Sequence, residues 1–165
     1  MNSDIYKVSQ LGKGFLAVMA KPVGGEWIED EFCGIAQFGI YRLVSLLENH
    51  EIREFGLQAA PVLCAANQVD FLHFPIRDRG VPPSLSATQK LVTHLHSSIV
   101  NGDNTVIHCR AGIGRTGLLA AAILIRHGED VADTLSMVSK ARRVPVPDTE
   151  EQINWLKQHQ AALRI

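Results

Sequence analysis

The residue types best suited to chemistry cluster in one stretch, His108-Cys109-Arg110-Ala111-Gly112-Ile113-Gly114-Arg115-Thr116-Gly117. It follows the β-branched run Thr105-Val106-Ile107 and leads into the apolar run from Leu118 to Ile125, so the spacing predicts a loop between a strand and a helix. Glycine-rich backbone in that position lets successive N–H groups turn toward one anion, and a helix starting near Arg115 adds free N–H groups and its positive dipole end. The anion that fits is a tetrahedral phosphate. Backbone donors, a helix N-terminus and a guanidinium all favour the thiolate form of a cysteine at the mouth of such a loop, and the thiolate is the nucleophile. Five residues separate Cys109 from Arg115, enough for the loop to wrap the phosphate with sulfur at the floor and the guanidinium at the side. Arginine suits that place because its rigid fork engages two oxygens at once. The hydroxyl of Thr116 is placed to donate to the sulfur and make it a better leaving group.

His108-Cys109, five residues, then Arg115-Thr116 resembles the H-C-x5-R-[ST] signature of the cysteine-dependent protein tyrosine and dual-specificity phosphatases. A buried structural cysteine in a glycine-rich turn would need no proton donor elsewhere in the chain, whereas a phosphatase needs an acid for the leaving group. Pro75-Ile76-x-Asp78-x-Gly80-x-Pro82 is similar to the general-acid loop of the compact members, the small bacterial and archaeal tyrosine phosphatases and the cyclin-dependent-kinase-associated type. The resemblance implies a two-step, metal-free and cofactor-free reaction. Cys109 attacks phosphorus, Arg115 and the backbone of Arg110, Ala111, Gly112, Ile113 and Gly114 hold the oxygens, and Asp78 protonates the departing group. Water then cleaves the cysteinyl phosphate with Asp78 as base. His108 orients the loop through hydrogen bonds. Gln152 has two readings of equal weight, the aligner of that water or the partner of Thr149 in a helix capping box. Asp78 also has a plainer reading, a loop residue paired with Arg77 or Arg79.

The substrate implied is a phosphoprotein carrying phosphotyrosine, or phosphoserine and phosphothreonine. A phosphoinositide or another small phosphomonoester is the alternative, although Ile113 stands where phosphoinositide phosphatases often have lysine. Two rivals are a phosphoprotein-binding module without turnover and a sulfur-transfer or thiol-redox protein. The first lacks any lesion among Cys109, Arg115 and Asp78, and the second lacks C-x-x-C spacing.

The rest of the chain predicts how these residues are held. At 165 residues, 46% hydrophobic and 20% charged, residues 1–165 fit a single domain with a sizeable core. A formal charge of -1 gives no general attraction to nucleic acid or anionic membrane. No apolar run reaches membrane-spanning length and the first residues carry no secretory pattern, which predicts a cytoplasmic monomer. Cys33 and Cys64 read as small core hydrophobes, with disulfide protection of Cys109 as the alternative. His94 and His96 do not share a helix face and read as solvated rather than as metal ligands.

Strands are expected at Ile5 to Val8, Phe15 to Met19, Ile40 to Leu47, Val69 to Pro75 and Thr105 to His108. Helices are expected over Trp27 to Phe38, in turns around His50 to Phe55 and a segment interrupted by Pro61. Further helices follow a Ser86–Gln89 capping box, run from Arg115 to His127, turn Ala132, Leu135, Val138 and Ala141 inward after an Asp130 cap, and start at Thr149 with Ile153, Leu156 and Leu163 toward the core. The alternation predicts an α/β fold, a central and mostly parallel sheet flanked by helices, with the phosphate loop between a strand and a buried helix as in protein tyrosine phosphatases.

Overall fold

The computed structural model describes residues 3–165. Strands β1 (Tyr6–Leu11), β2 (Gly14–Met19), β3 (Arg42–Ser45), β4 (Asp70–His73) and β5 (Thr105–His108) form one sheet in the order β1-β2-β5-β3-β4. β1 and β2 are an antiparallel hairpin, and every other pairing is parallel. β5 is therefore central, flanked by β2 and β3, and its carboxyl end delivers Cys109 into the middle of one edge of the sheet. The crevice there is where open α/β sheets place ligands.

Helices α1 (Ile28–Gln37), α2 (Asn49–Glu54) and α3 (Ala60–Ala66) lie before β4; α4 (Leu85–Val100), α5 (Gly114–His127), α6 (Val131–Arg142) and α7 (Glu150–Leu163) follow it. α5 packs against α4, α6 and α7, and every residue from Arg115 to Ile125 is buried. Burying each of its leucines and isoleucines stabilises the fold by about 1.5–3 kcal/mol, so the helix that carries Arg115 is fixed by its apolar body. Gly128 ends it in the left-handed conformation. A second, smaller apolar cluster, with Phe32, Ile35 and Leu43, fills the other face of the sheet.

Several local expectations need correction. Pro61 does not interrupt a segment but stands in the first turn of α3, where its missing N–H costs nothing. The cap of α4 is Ser84, whose hydroxyl accepts from Ala87 N, while Gln89 donates to the Ala162 carbonyl. Ala132 is exposed and Ala141 half-buried; Val131, Thr134 and Val138 are the buried residues of α6. Asp130 precedes α6 without a side-chain cap and pairs instead with Arg164 at 2.7 Å. In α7 the buried residues are Gln152, Trp155, Leu156 and Leu163, with Ile153 half-buried.

Candidate active site

The phosphate loop runs from Cys109 to Ile113 between β5 and α5. Gly112 sits at φ +73°, and a Cβ there would overlap the Met19 carbonyl at the end of β2. Only glycine permits both the left-handed backbone and that close approach. The loop opens on a pocket of about 240 Å³, whose walls include Cys109, Asp78, Arg110, Arg115 and Asp148.

Arg115 is the most heavily constrained side chain in the site, 1% exposed despite its charge. Glu51 grips it in a two-pronged pair, Nη1 to Oε1 at 2.7 Å and Nη2 to Oε2 at 2.9 Å. Nη1 also donates to the Ile76 carbonyl at 2.9 Å, and Nη2 to Asp78 Oδ1 at 3.1 Å. Burial works to lower the pKa of Arg115, but hydrogen bonding to Glu51 and the surrounding negative charge raise it on balance. For Glu51 burial works upward, yet hydrogen bonds from Arg115 and the Glu48 N–H, with the arginine's charge, bring it below its ordinary value. The pair is thus ionised and buried, and the bonds of both Nη atoms to Glu51, Ile76 and Asp78 leave the guanidinium little freedom.

Asp78 lines the pocket together with Cys109, and its partner is Arg115 rather than Arg77 or Arg79. Arg79 instead reaches Asp148 at 2.7 Å, tying the Asp78 loop to the segment before α7. Gln152, fully buried, makes a second tie. Its Oε1 accepts from Asp148 N at 3.0 Å and Thr149 N at 3.1 Å, while Nε2 donates to the Gly80 carbonyl at 3.0 Å. The capping box is therefore present, and the same amide joins α7 to the Asp78 loop.

His108 Nδ1 donates to the Cys109 carbonyl at 3.1 Å, because that partner only accepts. Burial, the largest influence, pushes the imidazole down to about 4 against the pull of that hydrogen bond, so it is neutral and bracing rather than a base. The Thr116 hydroxyl is buried and has no hydrogen-bond partner among the described residues, so the predicted bond to the cysteine sulfur is not formed in this structure. Cys64 is buried and its thiol is pushed up to about 12 by burial and by Asp70, the behaviour of an inert core hydrophobe; Cys33 is half-buried. His96 is half-buried and pairs with His127 at 2.8 Å rather than being solvated, while His94 is exposed. Glu48, His50 and Glu51 come close together, but the Glu51 oxygens already face Arg115 and the Glu48 N–H.

Glu51 and Asp148 carry no signal that sequence reasoning found. Glu51 lies in a stretch with only weak helical signal, and nothing in the sequence around Asp148 marks it as facing the pocket.

A mainly parallel sheet whose central strand feeds a His-Cys-x5-Arg-Thr loop into a buried helix is the protein tyrosine phosphatase architecture. The chain is similar to a crystal structure of kinase-associated phosphatase bearing a cysteine-to-serine substitution in its catalytic site, at 20% identity and a TM-score of 0.88, covering 99% of this chain and 97% of that one. It is similar also to Tk-PTP in its active form, at 24% identity and a TM-score of 0.76, covering 94% and 97% of the two chains. Identities this low speak for the fold. Cyclin-dependent kinase inhibitor 3 of Rattus norvegicus is 24% identical over 127 residues, which cover 76% of this chain and 53% of that protein. The chain spans about half or less of the length of the curated relatives it matches. Residues 17–129 match the family described as Tc-R-P, polymorphic toxin system, DSP-PTPase phosphatase. The chain belongs to that family.

Proposed function

We propose that the protein hydrolyses phosphate monoesters on proteins, phosphotyrosine first with phosphoserine or phosphothreonine as the second reading, through a phosphorylated Cys109. The observation that carries this is the meeting of Cys109, Arg115 and Asp78 in one pocket, with Arg115 held by a buried carboxylate. The thiolate attacks phosphorus in line. Arg115 and the N–H groups of residues 110–115 hold the equatorial oxygens, and Asp78 gives its proton to the leaving oxygen. In the second step the Asp78 carboxylate takes a proton from water as the water displaces sulfur. Thr116 eases that departure by rotating its unpaired hydroxyl toward the sulfur, and Gln152 holds the Asp78 loop against α7.

The chemistry calls for no metal or cofactor, since the arginine and the backbone supply the positive field a metal would otherwise give. A nucleophilic thiol needs a reducing compartment, which supports a cytoplasmic protein; no helix among the described residues is long and apolar enough to cross a membrane. We read residues 1–165 as one catalytic domain acting as a monomer.

The test is hydrolysis of p-nitrophenyl phosphate with excess chelator. Turnover by wild type that persists under chelation, is abolished in Cys109→Ser and falls about 10²–10⁴-fold in Asp78→Ala supports the proposal. Turnover that survives Cys109→Ser, or depends on added metal, refutes it.

A further inference from the structure

The phosphate loop depends on more than its own glycines. Arg142, the last residue of α6, donates from Nη2 to the Ala111 carbonyl at 2.9 Å. The other side of its guanidinium is covered by Tyr6 of β1, with 4.6 Å from the guanidinium carbon to the ring centroid, and its Nε has no hydrogen-bond partner among the described residues. Among the described residues, no other side chain hydrogen-bonds to a carbonyl between Arg110 and Ile113.

We propose that Arg142, steadied by Tyr6, is a positioning residue that sets the phosphate loop in its oxyanion-binding shape. The inference rests on the reading of this loop as an oxyanion site. A trans peptide points its C=O and N–H in opposite directions. Arg142 lies outside the pocket walls, so drawing the Ala111 carbonyl toward it turns the Gly112 N–H back toward the pocket. The preceding peptide is treated alike, since the Arg110 carbonyl accepts from Lys21 N at 3.1 Å, which leaves the Ala111 N–H facing inward. Two successive peptides are therefore held from outside, and Gly112 at φ +73° completes the concave turn that converges N–H groups on an anion. The Lys21 contact is made by backbone and follows from the sheet. The Arg142 contact is made by a side chain and is specific to arginine, which alone offers a flat face to the ring and an N–H to the carbonyl together.

Both residues lie outside the 17–129 segment that matches the family. The arrangement gives the amino-terminal strand a task. Tyr6 fixes the guanidinium plane and the guanidinium fixes the peptide.

The experiment is calorimetric titration of the full chain with tungstate, an oxyanion that needs no turnover, beside p-nitrophenyl phosphate kinetics. Arg142→Met is expected to weaken tungstate binding and to lower kcat/KM by about tenfold each, the effect of one lost charge-assisted hydrogen bond. Arg142→Lys and Tyr6→Leu fall between Arg142→Met and wild type, and Lys140→Met, an exposed change on the same helix, matches wild type. A purely structural role predicts lower thermal stability with wild-type tungstate affinity in the folded protein, and that result overturns the proposal. So does tungstate affinity within twofold of wild type in both Arg142→Lys and Tyr6→Leu if Arg142→Met does not fold. Wild type that binds tungstate without turnover refutes the phosphatase reading alone, with Arg142 still judged by affinity. Wild type that binds no tungstate refutes both.

Discussion

At the scale of single residues the site is governed by one buried ion pair and one buried neutral ring. Glu51 and Arg115 are each 2% or less exposed, and breaking such a pair from one side leaves the other charge in low dielectric. Glu51→Gln is therefore expected to destabilise the fold by about 3–5 kcal/mol in urea unfolding and to loosen oxyanion binding, because the guanidinium loses its anchor. The folded pKa of Glu51 is depressed, so its contribution is present above the ordinary carboxylate range and is lost only as pH falls through the folded value. His108 is depressed too, but it is a base, and the sign is worked separately. With an unfolded value near 6.5 and a folded value of about 4, the unfolded chain takes up the proton first, so stability is intact above pH 6.5 and falls toward pH 4, by roughly 3 kcal/mol at most. His108→Asn keeps an N–H for the Cys109 carbonyl without titrating, and its urea midpoints are expected to lose about one proton of pH dependence in that window. Cys109 and Arg115 stand out through the short spacing of one loop and Asp78 through the resemblance of its own loop, and the structure brings the three to one pocket. Glu51 was not, because its partner is 64 positions away and nothing local marks an acid as buried.

At the scale of elements, the Asp78 loop has to be held in place, and α7 holds it. Gln152 satisfies two orphan N–H groups at the start of α7 and the Gly80 carbonyl with one amide. Gln152→Met preserves volume and removes all three, which costs about 1–2 kcal/mol of stability through the lost cap. If holding Asp78 in place is its main role, the variant loses more rate with phosphotyrosine, whose leaving group needs the proton, than with p-nitrophenyl phosphate. Equal losses on both substrates point to the water-aligning role instead. Periodicity disclosed the existence of α4, α6 and α7 but misplaced details that tertiary contacts decide. Ser84 caps α4 ahead of Ser86, and α6 turns Val131 and Thr134 inward in place of Ala132. The capping box at Thr149, one of the two readings left open for Gln152, is present, and it was visible because it depends on neighbours in sequence.

At the scale of the whole molecule, the sheet order makes β5 central, and each candidate group enters from a different connection at its carboxyl end. Glu51 follows β3, Asp78 follows β4, Cys109 follows β5, and Asp148 arrives from beyond α6. The α/β alternation and the buried α5 were legible from apolar runs. The junction of the β1 strand with the loop through Tyr6 and Arg142 was not, since those residues are 136 positions apart and meet only across the finished fold. The central claim is that this assembly makes Cys109 the covalent carrier of the phosphoryl group. The most direct measurement is rapid acid quench of wild type during p-nitrophenyl phosphate turnover, followed by mass spectrometry of the peptide containing Cys109. The account predicts phosphate on the Cys109 sulfur at steady state. Turnover with no phosphorylated Cys109, or with the phosphate on another residue, would contradict it.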